Sequence, residues 1–418
     1  AKVENFITRF AKYYTPVVTI GAVILAILPP LILGGGWADW IQRACIFLVI
    51  SCPCALVISV PLGFFGGIGA SSKIGILVKG SNYLEAVAEM TTIVFDKTGT
   101  LTKGEFKVSE VQPSADKNNT IGKEELLEIA AYGEGYSNHP IANSIREAYG
   151  KTLSMERVTD TEEIAGHGIH TFIDGREVYL GNAKLMDAQN IAYTENKTAG
   201  TVVYVACNNV FAGSIVISDT VKEGSKDAIR DMKQVGVKKT VMLTGDRQAA
   251  ADAVAAELGI DEVHAKLLPQ DKLSTLKKLR ETYTSVMFVG DGINDAPALT
   301  RADMGIAIGA GTDVAIDAAD IVLMKSQLSD VPAAIRMSRA TLRNIHENLF
   351  WAFFYNVIGI PLAAGVWIPI FGWTLNPMFG AAAMSLSSFC VVTNALRLNL
   401  FKIHDADKDK KIKNPVSI

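Results

Sequence analysis

Three stretches of the chain are nearly free of charge, and they set its outline. Val17 to Leu33 is apolar apart from Thr19 and Gly21, Ala44 to Ser72 holds no charged residue, and Asn348 to Leu396 is equally uncharged but breaks near Pro369 and Gly372. A helix crosses the hydrocarbon core with about 20 apolar residues, so the first two supply one span each and the last supplies two. Between them, residues 73–346 follow another rhythm. The outer pieces, 73–103 and 217–335, alternate short apolar runs with helical patterns such as Lys222 to Val235 and Arg247 to Leu258, which predicts a parallel sheet with crossovers. The inner piece, 104–216, alternates in-out at Ile169 to Ile173, Glu177 to Leu180 and Val202 to Cys207 beside a helix from Lys123 to Ala131, which predicts an antiparallel sheet with helices. One domain is thus inserted within another.

Composition agrees with a membrane protein of several domains. A chain of 418 residues exceeds one ordinary core, and its positive mean hydropathy despite 20% charged residues traces to the apolar stretches. Lys2, Arg9, Lys12, Lys73 and Lys79 flank the first pair of spans and Arg397, Lys402, Lys410 and Lys411 follow the last, whereas the turns near Gly34-Gly35-Gly36 and Ile368-Pro369 carry none. The positive-inside rule then places both hairpin ends and the insertion in the cytoplasm. Trp37, Trp40, Trp367 and Trp373 lie near the outer turns, where interfacial aromatics sit. No cleavable signal peptide is present, the tail from Asp405 to Lys413 is a solvated charge run, and the net charge of −3 gives no reason to expect nucleic acid as a partner.

The chemistry gathers at strand ends. Thr92 to Phe95 reads as a buried parallel strand, and Asp96-Lys97-Thr98-Gly99-Thr100-Leu101-Thr102 follows it, so Asp96 stands where open α/β sheets bind ligands. The Thr-Gly-Thr turn supplies hydroxyls and open backbone for a phosphoryl group. A second apolar strand, Val286 to Val289, ends in Gly290-Asp291-Gly292-Ile293-Asn294-Asp295, whose carboxylates are hard ligands for magnesium. Val241 to Leu243 leads to Thr244-Gly245-Asp246, and Lys272 offers a point charge for phosphate. Together these motifs predict phosphoryl transfer to a nucleophilic carboxylate, and no P-loop pattern competes with them.

Within the second apolar stretch lies Cys52-Pro53-Cys54. Proline removes a backbone hydrogen bond there and opens the helix around two thiols, whose softness selects copper(I), zinc and their neighbours. With five scattered cysteines and no extracytoplasmic domain, no structural disulfide is expected; Cys45 and Cys390 read as core residues.

On these motifs the chain resembles the heavy-metal-transporting P-type ATPases, whose phosphorylation domain belongs to the haloacid dehalogenase superfamily. The resemblance implies an α-helical membrane domain with four spans present, plus a cytoplasmic α/β haloacid dehalogenase-like phosphorylation domain carrying an inserted α+β nucleotide-binding domain. The implied boundaries are 1–72 for the first helix pair, 73–103 and 217–335 for phosphorylation, 104–216 for nucleotide, 336–401 for the second pair and 402–418 for the tail. It assigns phosphorylation to Asp96 within the catalytic set Lys97, Thr98, Thr244, Gly245, Asp246, Lys272 and Asn294. Magnesium falls to Asp96, Thr98, Asp291 and Asp295. ATP falls to Glu134, His139, Pro140, Gly166, Gly168 and Asn182, where His139-Pro140 matches the family's histidine-proline motif.

For the transported ion, Cys52 and Cys54 join Tyr355, Asn356, Met384 and Ser388, which match the copper(I)-exporting branch. The zinc and cadmium branch carries a lysine and an aspartate in these spans, and neither occurs between Asn348 and Leu396. The flanks Cys54 to Pro61 and Glu163 to Gly168 look instead like the zinc and cadmium branch. The expected function is ATP-driven export of copper(I), with zinc, cadmium or lead as the alternative and a membrane-tethered phosphatase more distant, since Thr98 stands where a phosphatase has its second acid. A metallochaperone donor, surrounding lipid and a plasma-membrane location follow from the resemblance. The family's actuator motif Thr-Gly-Glu is absent from the sequence, so the chain reads as a carboxyl-terminal fragment that pairs with upstream helices and an actuator domain.

Overall fold

The computed structural model describes residues 2–34, 36–52, 54–115, 121–164, 166–196, 198, 200–291, 295–309, 313–368 and 376–401. By its contacts the chain forms two compact units, one of residues 1–93, 230–239 and 276–418 and the other of 94–229 and 240–275.

In the first unit, five helices carry the apolar stretches: α1 (Lys2–Leu33), α2 (Trp37–Ile50), α3 (Cys54–Lys73), α4 (Asp330–Ala363) and α5 (Pro377–Leu396). Helix α1 starts well before Val17 because Val3 and Ile7 are buried in one cluster with Leu56, Val60, Phe64 and Ile345. The break between α2 and α3 falls beside the expected proline: the Ser51 amide closes onto the Phe47 carbonyl and the Cys52 amide onto that of Val49, and the helix restarts at Cys54. Helices α3 and α4 approach closely through glycine. A Cβ on Gly63 would lie 2.3 Å from Ile345, and one on Gly67 the same distance from Thr341 Oγ1.

Among the described residues, three helical segments are long and apolar enough to cross a membrane: Val3–Ile32, Trp37–Lys73 across the break, and Met378–Leu400. The other expected span falls on the second half of α4. That helix begins in a charged segment containing Arg336, Arg339 and Arg343 and continues past Asn348 without interruption. The expected turn at Pro369 and Gly372 lies outside the described residues.

The same unit contains strands with alternating helices. Ile76–Val78 runs antiparallel to Ile321–Leu323, which pairs in parallel with Met304–Ile308, and that strand pairs in parallel with Val286–Gly290. Every residue of the last two is buried, as strands covered on both faces require. Helices Ala296–Arg301 and Asp313–Ala318 lie along the crossovers that parallel pairing demands.

In the second unit, six strands form the expected antiparallel sheet: β1 (Thr102–Pro113), β2 (Val158–Ile164), β3 (Gly168–Ile173), β4 (Arg176–Gly181), β5 (Thr201–Cys207) and β6 (Val210–Val221), in the order β1-β6-β5-β4-β3-β2. Helices Lys123–Gly133 and Pro140–Tyr149 supply Leu126 and Ile145 to one core with Leu180, Val205 and Ile215. Tyr179, Tyr204 and Phe211 pack a smaller core around Leu185 and Met186 of the helix Ala183–Ala188. Outside this sheet, Lys239–Leu243 pairs in parallel with Glu262–His264.

Candidate functional site

Asp96 ends the fully buried strand Thr92–Asp96 and is itself 5% exposed. Lys272, on the helix Pro269–Thr282, places its Nζ 2.5 Å from Asp96 Oδ1. Within so little water this cation offsets most of the carboxylate's charge, which lets a second anion approach. Lys97 turns the other way, with its Nζ 2.5 Å from Asp246 Oδ2 and 3.3 Å from Asp219 Oδ2. Thr98 is exposed on the turn, where Gly99 takes φ 77° and the Lys222 ammonium donates to the Gly99 carbonyl. That arrangement leaves the threonine hydroxyl at the solvent face of the motif.

Thr244 closes the strand Lys239–Leu243, with its amide 3.0 Å from the His264 carbonyl and its Oγ1 accepting from the Asp246 amide at 3.2 Å. A Cβ on Gly245 would lie 3.2 Å from the Leu267 carbonyl, so this loop passes close to the one that follows Glu262–His264. Asp96 with Lys272, and Lys97 with Asp246, are therefore direct contacts within one unit. Asp219 is a member that sequence reasoning missed. Its carboxylate takes Lys97 and, at 2.5 Å, the Thr102 hydroxyl, and the available signal was an acid at the end of the otherwise apolar run from Phe211 to Ile217.

In the other unit, Asp291 follows the strand Val286–Gly290, and Asp295, 3% exposed, precedes the helix Ala296–Arg301. A Cβ on Gly290 would lie 2.8 Å from Asp295 Oδ2, so glycine there lets the carboxylate fold back over the strand end. Asn294 lies outside the described residues.

The six nucleotide candidates all lie in the antiparallel lobe. His139 caps the helix Pro140–Tyr149, its Nδ1 accepting from the Ile141 amide at 3.2 Å, and Pro140 fills the first helical position, where no amide partner is needed. With Nδ1 an acceptor, Nε2 carries the proton of the neutral ring. Asn182 caps the helix Ala183–Ala188 and donates from Nδ2 to the Gly166 carbonyl at 2.9 Å. Gly168 has φ 151°, and a Cβ there would sit 2.0 Å from the Leu180 carbonyl, so only glycine fits. Burial holds the Glu134 carboxyl up to about 7, opposed by the Arg146 guanidinium and the Ser137 hydrogen bond and assisted by Glu163.

Among the membrane helices a cavity of about 300 Å³ is lined by Cys52, Cys54, Tyr355, Asn356, Met384 and Ser387, among others. Ser388 is not on its wall; the rotation of α5 presents its neighbour instead. The expectation of free thiols needs correction, since Cys52 and Cys54 are bonded to each other. The helix break brings their Cα atoms to 5.4 Å, inside the range a disulfide bridges. Cys45 and Cys390 carry free thiols and are exposed, so they are not core residues.

The haloacid dehalogenase-like hydrolase family matches residues 90–303. The chain is 52% identical over 369 residues to the cadmium, zinc and cobalt-transporting ATPase of Bacillus subtilis, covering 87% of this chain and 52% of that protein. It is 38% identical over 423 residues to the copper-exporting P-type ATPase of Staphylococcus saprophyticus, covering 96% and 50%. The chain thus spans about half the length of the curated relatives it matches. Among solved structures, a zinc-transporting PIB-type ATPase in its E2.Pi state superposes with TM-score 0.80 at 35% identity over 95% of this chain and 66% of that one. The catalytic domain of the CPx-ATPase CopB-B matches with TM-score 0.51 at 30% identity over 64% of this chain and 98% of its own.

Proposed function

Because the chain belongs to the heavy-metal-transporting P-type ATPases and carries their haloacid dehalogenase-like hydrolase domain, we propose that ATP held by the antiparallel lobe phosphorylates Asp96, and that this drives a soft metal ion through the cavity at Cys52 and Cys54. The observation that carries the reading is the Asp96–Lys272 contact at a strand end. An Asp96 oxygen attacks the γ-phosphorus, the bond to the β-γ bridging oxygen breaks, and ADP leaves. Lys272 balances the acceptor's charge, Thr98 and Thr244 offer hydroxyls to the phosphoryl oxygens, and Lys97 ties Asp246 and Asp219 to the motif. Glu134, His139, Pro140, Gly166, Gly168 and Asn182 are the residues we assign to ATP.

Magnesium suits the donor set: Asp291 and Asp295 offer hard carboxylate oxygens, and glycine at 290 gives Asp295 its room. With Asp96 they would hold the ion, which when bound offsets the charge between the γ-phosphate and the acceptor. Asn294 completes the assigned set.

For the cargo we assign copper(I). The thioether of Met384, the amide of Asn356 and the phenol of Tyr355 share the cavity with the two cysteines, and among the described residues its wall includes neither lysine nor carboxylate. A divalent ion would lack a compensating charge there. A cystine supplies no thiolate, so reduction of the Cys52–Cys54 bond must precede binding. Likeness to the Bacillus relative favours a second reading, the same pump carrying zinc or cadmium. We place the pump in the plasma membrane with its catalytic parts cytoplasmic, bounded by lipid and supplied by a metallochaperone. The deciding experiment measures phosphoryl transfer from ATP to Asp96 in the full-length reduced transporter. Labelling stimulated by copper(I) and not by zinc is the expected result; equal stimulation by zinc alone overturns the cargo, and labelling that survives loss of both cysteines overturns the coupling.

A further inference from the structure

A second cavity of about 460 Å³ adjoins the first, and the two share Tyr355 and Ser387 on their walls. Along α5, Ser387, Cys390 and Asn394 follow at helical spacing on one wall; along α4, Glu347, Trp351 and Tyr355 do the same on the other, with Asn348 beside them. The wall is fixed by a buried amide ladder: Asn344 Nδ2 donates to the Asn394 carbonyl at 2.8 Å, and Asn394 Nδ2 donates to Asn348 Oδ1 at 2.9 Å. Asn348 is 3% exposed and Asn344 7%, so the ladder is a built feature. Arg397 also lines the cavity, but it donates to Asn394 Oδ1 at 3.0 Å.

Two groups on this wall are good cation ligands. The Cys390 thiol is free and exposed, so it does not fill a core, and it lies in a stretch without charged residues. The Glu347 carboxylate accepts only a half-exposed contact at 3.1 Å from Arg343, a pair weak enough for a metal ion to displace. Glu347 stands one residue before the uncharged stretch and Cys390 within it, and polar groups that line a cavity between spans mark ion pathways. We infer that this second cavity is a staging site for the transported soft cation, held by the Cys390 thiolate and the Glu347 carboxylate before it passes Tyr355 and Ser387 to Cys52 and Cys54. The inference rests on the pump reading for its direction, and on the two adjoining cavities for its existence.

Cadmium alone is the probe, in the full-length reduced transporter. With Cys52→Ser and Cys54→Ser in place, a cadmium–thiolate charge-transfer absorption remains; adding Cys390→Ala removes that component, and Glu347→Gln weakens it roughly tenfold. In the protein with Cys52 and Cys54 intact, Cys390→Ala raises the metal concentration giving half-maximal Asp96 phosphorylation roughly tenfold. An absorption that Cys390→Ala leaves unchanged overturns the staging site, as does an unshifted concentration dependence. Failure of the wild-type protein to phosphorylate Asp96 with any metal sinks the pump reading instead, and the cadmium absorption still decides the second site.

Discussion

Asp96 and Lys272 form a pair whose members have unequal replaceability. Asp96→Asn removes the nucleophile and is expected to abolish phosphoenzyme formation, read as loss of acid-stable label from ATP. Lys272→Ala keeps the nucleophile but removes the nearby cation. It is expected to slow phosphorylation by about 10² to 10³, the range for removing one preorganised electrostatic partner, in a single-turnover measurement. Glu134 brings pH dependence. Its folded value of about 7 lies above the ordinary carboxyl value, so the folded state keeps a proton that the unfolded chain has released. Its contribution to stability is therefore full below the unfolded value and is lost as pH rises towards about 7. Above that point the group would be an anion beside the polyanionic nucleotide proposed for this lobe, so ATP affinity should fall as pH rises through about 7, and Glu134→Gln should flatten the profile. Titrations of ATP one pH unit to either side would show it; an equal slope in both proteins would remove Glu134 from the site.

At the scale of elements, α3 and α4 pack closely through Gly63 and Gly67. Gly67→Val would drive a branched side chain into Thr341, and overpacking of this kind costs about 1 to 3 kcal/mol. Thermal unfolding of the detergent-solubilised protein should register the loss, with Gly69→Ala as a control because a Cβ there meets nothing within 4 Å. Such contacts mark the limit of what the sequence discloses. The strands of the antiparallel sheet were legible because period-two alternation survives in short segments, and the break at Pro53 because proline lacks a donor. The long start of α1 was not, since Val3 and Ile7 are helical for the sake of partners far along the chain. Which serine of α5 meets the cavity depends on a helix rotation that packing sets, so Ser387 took the place assigned to Ser388. Asp219 was invisible for the same reason: an acid at a strand end has meaning only once Lys97 and Thr102 stand beside it. Lys272 and the strand-end acids were legible because each motif is local.

For the molecule as a whole, α4 runs unbroken from Asp330 to Ala363 and joins the residues around Ala88, Asp231 and Val235 to the cavity wall. Its first half is anchored by Arg336, 1% exposed, whose guanidinium pairs with Asp231, and by Arg339, which donates to the Ala88 and Val235 carbonyls. A stiff helix held at one end and lining the cavity at the other is suited to carry a displacement between them. Arg336→Leu should lower the ratio of metal-stimulated to basal phosphorylation towards one, while ATP affinity stays as it was. A ratio equal to that of the unaltered protein would take α4 out of the coupling.

The antiparallel lobe leaves and rejoins the chain side by side. Phe106 faces Asp219 and Val108 faces Ile217 across β1 and β6, so both crossings belong to one two-stranded ribbon. A short hairpin spliced between Val108 and Ile217 would thus excise the lobe proposed to hold ATP without opening a gap. What remains would keep Asp96 and Lys272 in register, and such a trimmed protein should still accept a phosphoryl group from a small donor such as acetyl phosphate while ignoring ATP.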